Sequence, residues 1–81
     1  MKQHFKNKII LITGGTGSFG STFTKYLINN NFKFKEIRIF SRDEKKQFDF
    51  RNKYKDPRIK FFIGDVREYN SVLDVMENVD Y

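Results

Sequence analysis

The sequence predicts an α/β fold with a parallel sheet in the strand order 3-2-1, and three observations carry that prediction. Short apolar runs alternate with amphipathic stretches in the order β-α-β-α-β-α, the links between them are short, and the first run breaks into glycines that open a helix. Alternating strands and helices with short links require right-handed crossovers, which make successive strands parallel neighbours.

The first strand is expected from about Lys8 to Thr13. Its core, Ile9-Ile10-Leu11-Ile12, is a continuous apolar run of the kind that suits a strand buried on both faces. Gly14 and Gly17 permit a tight turn at positive φ and let backbone approach a phosphate without a Cβ in the way. Gly20, in the first helical turn, allows close packing of helix on strand. The N–H groups of Thr16, Gly17, Ser18 and Phe19 then face an anion, helped by the positive end of the helix dipole. Glycines 14, 17 and 20, or 15, 17 and 20, fit dinucleotide-binding spacings. Bare glycine spacing is weak evidence, but a strand before it and a helix after it supply the context of the Rossmann fingerprint.

The first helix runs from Ser18 to about Asn30 with apolar Phe19, Phe23, Tyr26 and Leu27, and the Asn29-Asn30-Asn31 run suits its exit. Strand two is Glu36 to Ser41. Helix two spans about Asp43 to Tyr54 and is closed by Asp56-Pro57. Strand three is Ile59 to Ile63, ending at Gly64-Asp65. In helix three, Tyr69, Val72, Leu73 and Met76 share one apolar stripe. The chain is thus read as the N-terminal part of a doubly wound Rossmann sheet, residues 1–81 making about half of a nucleotide-binding domain. In such a sheet the fourth strand lies beside the first, across the ligand crevice. With the sequence at Val79-Asp80-Tyr81, that strand is expected to be missing and the edge of strand one bare, as in a piece of a longer protein.

The end of strand two bears on the cofactor. NAD-preferring sites place an acidic side chain there for the ribose 2′-hydroxyl, whereas this chain has Ser41-Arg42-Asp43-Glu44-Lys45-Lys46. A hydroxyl and a guanidinium suit a 2′-phosphate, and Lys46, one turn further on, reaches the same place. NADP is therefore the expected cofactor. Ser41-x-x-Glu44 also reads as a capping box, Lys46 as a surface lysine, and Asp43 as turned into the helix start.

Composition limits the other classes. The 81 residues make at most one small domain, and a chain this short hides only about 60% of its unfolded surface. The absence of cysteine excludes disulfides and thiolate zinc sites and fits a reducing compartment. No metal site is expected, since His4 stands alone. No run reaches the ~20 apolar residues of a membrane span and no signal-peptide core follows Met1, so a cytoplasmic location with no membrane partner is expected. A net charge of +6 raises nucleic acid as a partner. The basic residues are spread from Lys2 to Lys60 without a dense block, and Phe40, Phe61 and Phe62 are expected in buried strands that offer no stacking platform, so no nucleic-acid partner is expected.

Three blocks carry a more specific resemblance: Ile12-Thr13-Gly14-Gly15-Thr16-Gly17-Ser18-Phe19-Gly20, Ile39-Phe40-Ser41-Arg42-Asp43-Glu44-Lys45-Lys46-Gln47, and Asp56-Pro57-Arg58-Ile59-Lys60-Phe61-Phe62-Ile63-Gly64-Asp65-Val66-Arg67. Together they resemble the N-terminal part of the inverting UDP-N-acetylglucosamine 4,6-dehydratases, extended short-chain dehydrogenase/reductase enzymes of the polysaccharide-biosynthesis type. The resemblance implies that Thr16, Gly17, Ser18 and Phe19 cradle the pyrophosphate. It implies that Ser41, Arg42 and Lys46 hold the adenosine 2′-phosphate with Asp43 nearby, and that Asp65 and Val66 meet the adenine, Asp65 accepting from its exocyclic amine. Read without the resemblance, Asp65 is a turn residue after Gly64 and Arg67 a solvated or helix-start residue.

The implied reaction is an intramolecular redox elimination on a UDP-sugar: C4 is oxidised, water leaves across C5 and C6, the hydride returns at C6, and C5 is inverted. The family's catalytic Asp, Lys and Tyr lie downstream, so no catalytic residue is expected in residues 1–81, and a homo-oligomer is expected of the full-length protein. Modest departures are Glu68 where the family often has Asp, the aromatic Phe32-Lys33-Phe34-Lys35, and Phe48 and Phe50 in helix two. A related sugar-nucleotide epimerase or reductase, or a non-catalytic NADP-sensing module, would share this half.

Overall fold

A computed structural model describes residues 5–14 and 18–81, the side chains of Ser18 and Phe19 excepted. The elements are β1 (Ile9–Thr13), α1 (Ser18–Asn29), β2 (Glu36–Ser41), α2 (Glu44–Lys53), β3 (Ile59–Ile63) and α3 (Tyr69–Met76). The strands form one parallel sheet in the order β1-β2-β3, which is 3-2-1 read from the other edge. Ile10 stands opposite Ile37, and Ile37 opposite Ile59. As the middle strand β2 is covered most completely: Ile37 and Ile39 are fully buried in a core with Ile10, Ile12, Leu27, Phe32, Phe34, Phe50 and Ile59.

Local chemistry fixes the helix ends. Asn31 takes a positive φ of 58° after α1. Its N–H donates to the Ile28 carbonyl at 3.2 Å and that of Phe32 to the Leu27 carbonyl at 3.1 Å, the paired bonds of a Schellman exit. At the start of α2 it is Asp43 that caps, its Oδ1 accepting from the Lys46 N–H at 2.9 Å. The Ser41-x-x-Glu44 box does not form because Ser41 is still in β2. The aromatic residues around β2 and α2 mostly enter the core: Phe50 packs on Tyr54 at 5.0 Å between centroids, and the Arg58 guanidinium lies 3.9 Å over the Phe34 ring. Phe48 is exposed.

Three places differ from the expectation. In α3 the residue that packs inward is Val75, while Tyr69, Leu73 and Met76 of the apolar stripe are exposed and Val72 is half-buried. β3 lies at the side of the sheet, so Phe62 and Ile63 are exposed and Phe61 is only half-buried, although Phe40 is buried as expected. The third concerns the edge of β1, which is not bare. Arg38 pairs with Glu36 and donates from Nη1 to the carbonyls of Val75 (2.9 Å) and Glu77 (2.6 Å), holding the end of α3. Asn78, at φ 64°, turns the chain back. Tyr81 then donates to the Ile9 carbonyl and accepts from the Leu11 N–H at 2.9 Å, the hydrogen-bond pattern of a parallel pair on the side of β1 away from β2. The Asp80 carboxylate accepts from the Ile9 N–H at 2.8 Å.

Candidate functional site

Parallel strands bring their carboxyl ends to one side of the sheet, where ligands of open α/β folds bind. There a hollow of about 350 Å³ is lined by Gly14, Phe40, Ser41, Arg42, Gly64, Asp65, Val66 and Arg67.

Two glycines shape it for different reasons. Gly14 has a φ of +64°, a conformation open to glycine at little cost, and its N–H donates to the Phe40 carbonyl at 2.8 Å, locking the turn after β1 to β2. Gly64 is needed for space. A Cβ there would lie 2.5 Å from Cε2 of Phe40, whose ring is 1% exposed and underlies the hollow. The Gly64 N–H donates to the Ser41 carbonyl at 3.0 Å, joining the ends of β2 and β3.

Ser41 is buried at the end of β2 and is held by Gln47 from α2. The Gln47 side-chain amide donates to Ser41 Oγ and to the Phe62 carbonyl, both at 2.9 Å. Gln47 is 2% exposed, so these bonds are shielded from water and fix the three element ends together.

Charge gathers on the other wall. Arg67 wraps the Asp65 carboxylate, its backbone N–H reaching Oδ1 at 2.9 Å, Nη2 reaching Oδ2 at 2.6 Å and Nε lying 3.1 Å from both oxygens. Arg42 Nη1 lies 3.6 Å from the same Oδ2. These contacts hold the Asp65 carboxyl well below the usual carboxylate range, the Arg67 side chain first, then its N–H, with the charges of Arg67 and Arg42 adding to them. The same Asp-x-Arg turn recurs at the other end of β3: Arg58 donates to Asp56 from its N–H at 2.9 Å, from Nε at 3.0 Å and from Nη2 at 2.7 Å.

Of the residues singled out from sequence, Gly14, Ser41, Arg42, Asp65 and Val66 come together in the hollow. Asp43 and Lys46 sit beside it at the start of α2, the Asp43 carboxylate capping the helix with Lys46 Nζ 4.0 Å away. Gly20 is buried in α1 and its carbonyl accepts from the Thr24 hydroxyl. Ser18 and Phe19 open α1, and Thr16 and Gly17 lie outside the described residues. Sequence reasoning missed Phe40, Gln47 and the bond of Arg67 to Asp65. The repeated Asp-x-Arg spacing was the one visible signal for the last.

Residues 10–81 match the polysaccharide biosynthesis protein family. The chain belongs to that family. Among curated proteins of similar sequence, a UDP-glucose 4-epimerase of Rickettsia bellii (strain OSU 85-389) is 60% identical over 79 residues, spanning 95% of this chain and 23% of the relative. A UDP-glucose 4-epimerase of Rickettsia felis is 56% identical over 81 residues with the same coverage. The crystal structure of Pen from Bacillus thuringiensis superposes with a TM-score of 0.87 at 42% identity, covering 95% of this chain and 23% of that one. The present chain spans under a quarter of the length of these relatives.

Proposed function

We propose that residues 1–81 are the first portion of an NADP-binding Rossmann domain in a longer enzyme that modifies the hexose of a UDP-sugar. The observation that carries the cofactor reading is Arg42. It stands at the mouth of the hollow beside Ser41 with its side chain 70% exposed, where an NAD site would present a carboxylate. Asp43, the first acidic side chain after β2, is turned into the start of α2. Ser41 and Arg42 would hold the 2′-phosphate, Asp65 and Val66 the adenine, and Thr16, Gly17, Ser18 and Phe19 the pyrophosphate. The bound nicotinamide supplies a hydride acceptor for a sugar alcohol.

UDP-N-acetylglucosamine 4,6-dehydration is the preferred reaction, supported by the blocks around Ser41-Arg42-Asp43-Glu44 and Gly64-Asp65-Val66-Arg67. A second reading, 4-epimerisation of a UDP-hexose, is favoured by the names of the Rickettsia relatives. Incubating the full-length protein with UDP-N-acetylglucosamine and with UDP-glucose separates them. Dehydration yields a keto product lighter by one water, whereas epimerisation yields an isomer of unchanged mass. For the cofactor, Arg42→Ala is expected to weaken NADP binding about 10- to 100-fold while sparing NAD, the worth of a charge-assisted hydrogen bond. An NADP preference that survives this change refutes the role of Arg42.

A further inference from the structure

Arg67 and Arg42 both approach Asp65, and neither composition nor the glycine pattern gives Arg67 a task. The two arginines share one carboxylate oxygen: Oδ2 of Asp65 is 2.6 Å from Arg67 Nη2 and 3.6 Å from Arg42 Nη1. With both guanidinium groups in place the Asp65 side chain is 15% exposed. An unneutralised carboxylate at that place would act on a 2′-phosphate twice. It would repel the phosphate, and it would hold the Arg42 guanidinium as a full ion pair instead of releasing it to the phosphate.

We propose that Arg67 is a positioning residue for cofactor selectivity, neutralising Asp65 through its fork so that Arg42 is left to the 2′-phosphate. The geometry fits the division of labour. Arg67 hydrogen-bonds both carboxylate oxygens, at 2.6 to 3.1 Å, while Arg42 sits beyond hydrogen-bond distance and remains exposed. Arg67 thereby lets one carboxylate stand beside a dianionic group and still offer an acceptor to an adenine amine. The proposal rests on the NADP reading above and adds to it a residue that need not touch the phosphate.

The test uses the full-length protein, with dissociation constants for NADP and NAD measured by calorimetry at low and at physiological salt. Arg67→Ala is expected to weaken NADP about tenfold more than NAD, a loss that shrinks as salt rises. Adding Asp65→Asn to Arg67→Ala removes the charge that Arg67 neutralises, and the NADP-to-NAD ratio is expected to return toward wild type. Arg58→Ala opens the matching turn at the far end of β3 and serves as the control, lowering stability without moving the ratio. Equal weakening of both cofactors by Arg67→Ala, or no recovery in the double variant, overturns the proposal. A wild-type protein that binds NAD in preference to NADP instead overturns the cofactor reading, before any Arg67 variant is compared.

Discussion

Gly64→Ala puts a methyl group where the floor of the hollow has no room. The added Cβ would stand 2.5 Å from Cε2 and 2.6 Å from Cζ of Phe40, nearly an ångström inside ordinary contact. The ring cannot swing aside, because Phe40 is 1% exposed and an aromatic side chain has only two torsions to adjust. The backbone can give way only by straining the bond from the Gly64 N–H to the Ser41 carbonyl, 3.0 Å long. Overpacking of this kind costs about 1–3 kcal/mol. Urea unfolding of the full-length protein would read that loss for Gly64→Ala, and the comparison that isolates its cause is made in a Phe40→Leu background. Leucine ends before the positions of Cε2 and Cζ, so most of the penalty is expected to vanish there, a coupling of about 1–2 kcal/mol. A Gly64→Ala protein within about 0.5 kcal/mol of wild type, or an equal loss in both backgrounds, would refute the close-packing account.

Two further outcomes follow from the turns. Asp43→Ala removes the side-chain acceptor of the Lys46 N–H and is expected to cost about 1 kcal/mol in denaturant unfolding, with Asp43→Asn nearly neutral. Asp56 is held below the ordinary carboxylate value of 3.8 by the Arg58 side chain, despite the opposing effect of burial. A depressed carboxylate stabilises the fold above its unfolded pKa, and that contribution is lost as pH falls through the folded value. Asp56→Asn is therefore expected to be less stable than wild type at neutral pH, with the gap closing progressively below about pH 4, as unfolding curves at a series of pH values would show.

The parts of the fold that depend on local signals were readable. Strands β2 and β3 fall on the residues their apolar runs mark, and Asn31 after α1 forms the expected left-handed exit. What could not be read depends on which neighbour is present. Ile59 to Ile63 is as apolar as β1, and nothing in the run says that its side chains at Phe62 and Ile63 will stand at the side of the sheet. Ser41 and Asp43 are both good capping residues, and only the end of β2 decides between them. In the hollow, the glycine turn, Ser41, Arg42 and Asp65 follow from position after a strand. Gln47 and Phe40 enter through packing, which spacing does not encode: one is a polar residue on a polar helix, the other one of ten phenylalanines.

The contact of Tyr81 with β1 also bears on the order in which the chain assembles. Ile9 and Asp80 are 71 residues apart, while each pairing within the sheet joins strands adjacent in sequence. Closing a loop of that length from an open chain costs only about 1 kcal/mol more than closing a strand-helix-strand unit, because the entropy grows as the logarithm of length. Once β1, β2 and β3 are paired, even that difference disappears, since only α3 and its flanks still have to be closed. The cheapest route pairs the three strands first, each with its neighbour in sequence, and adds the edge contact last. The bonds of Tyr81 along the outer side of β1 would then be the final feature to take shape, after the hollow that Gly14, Ser41 and Asp65 surround.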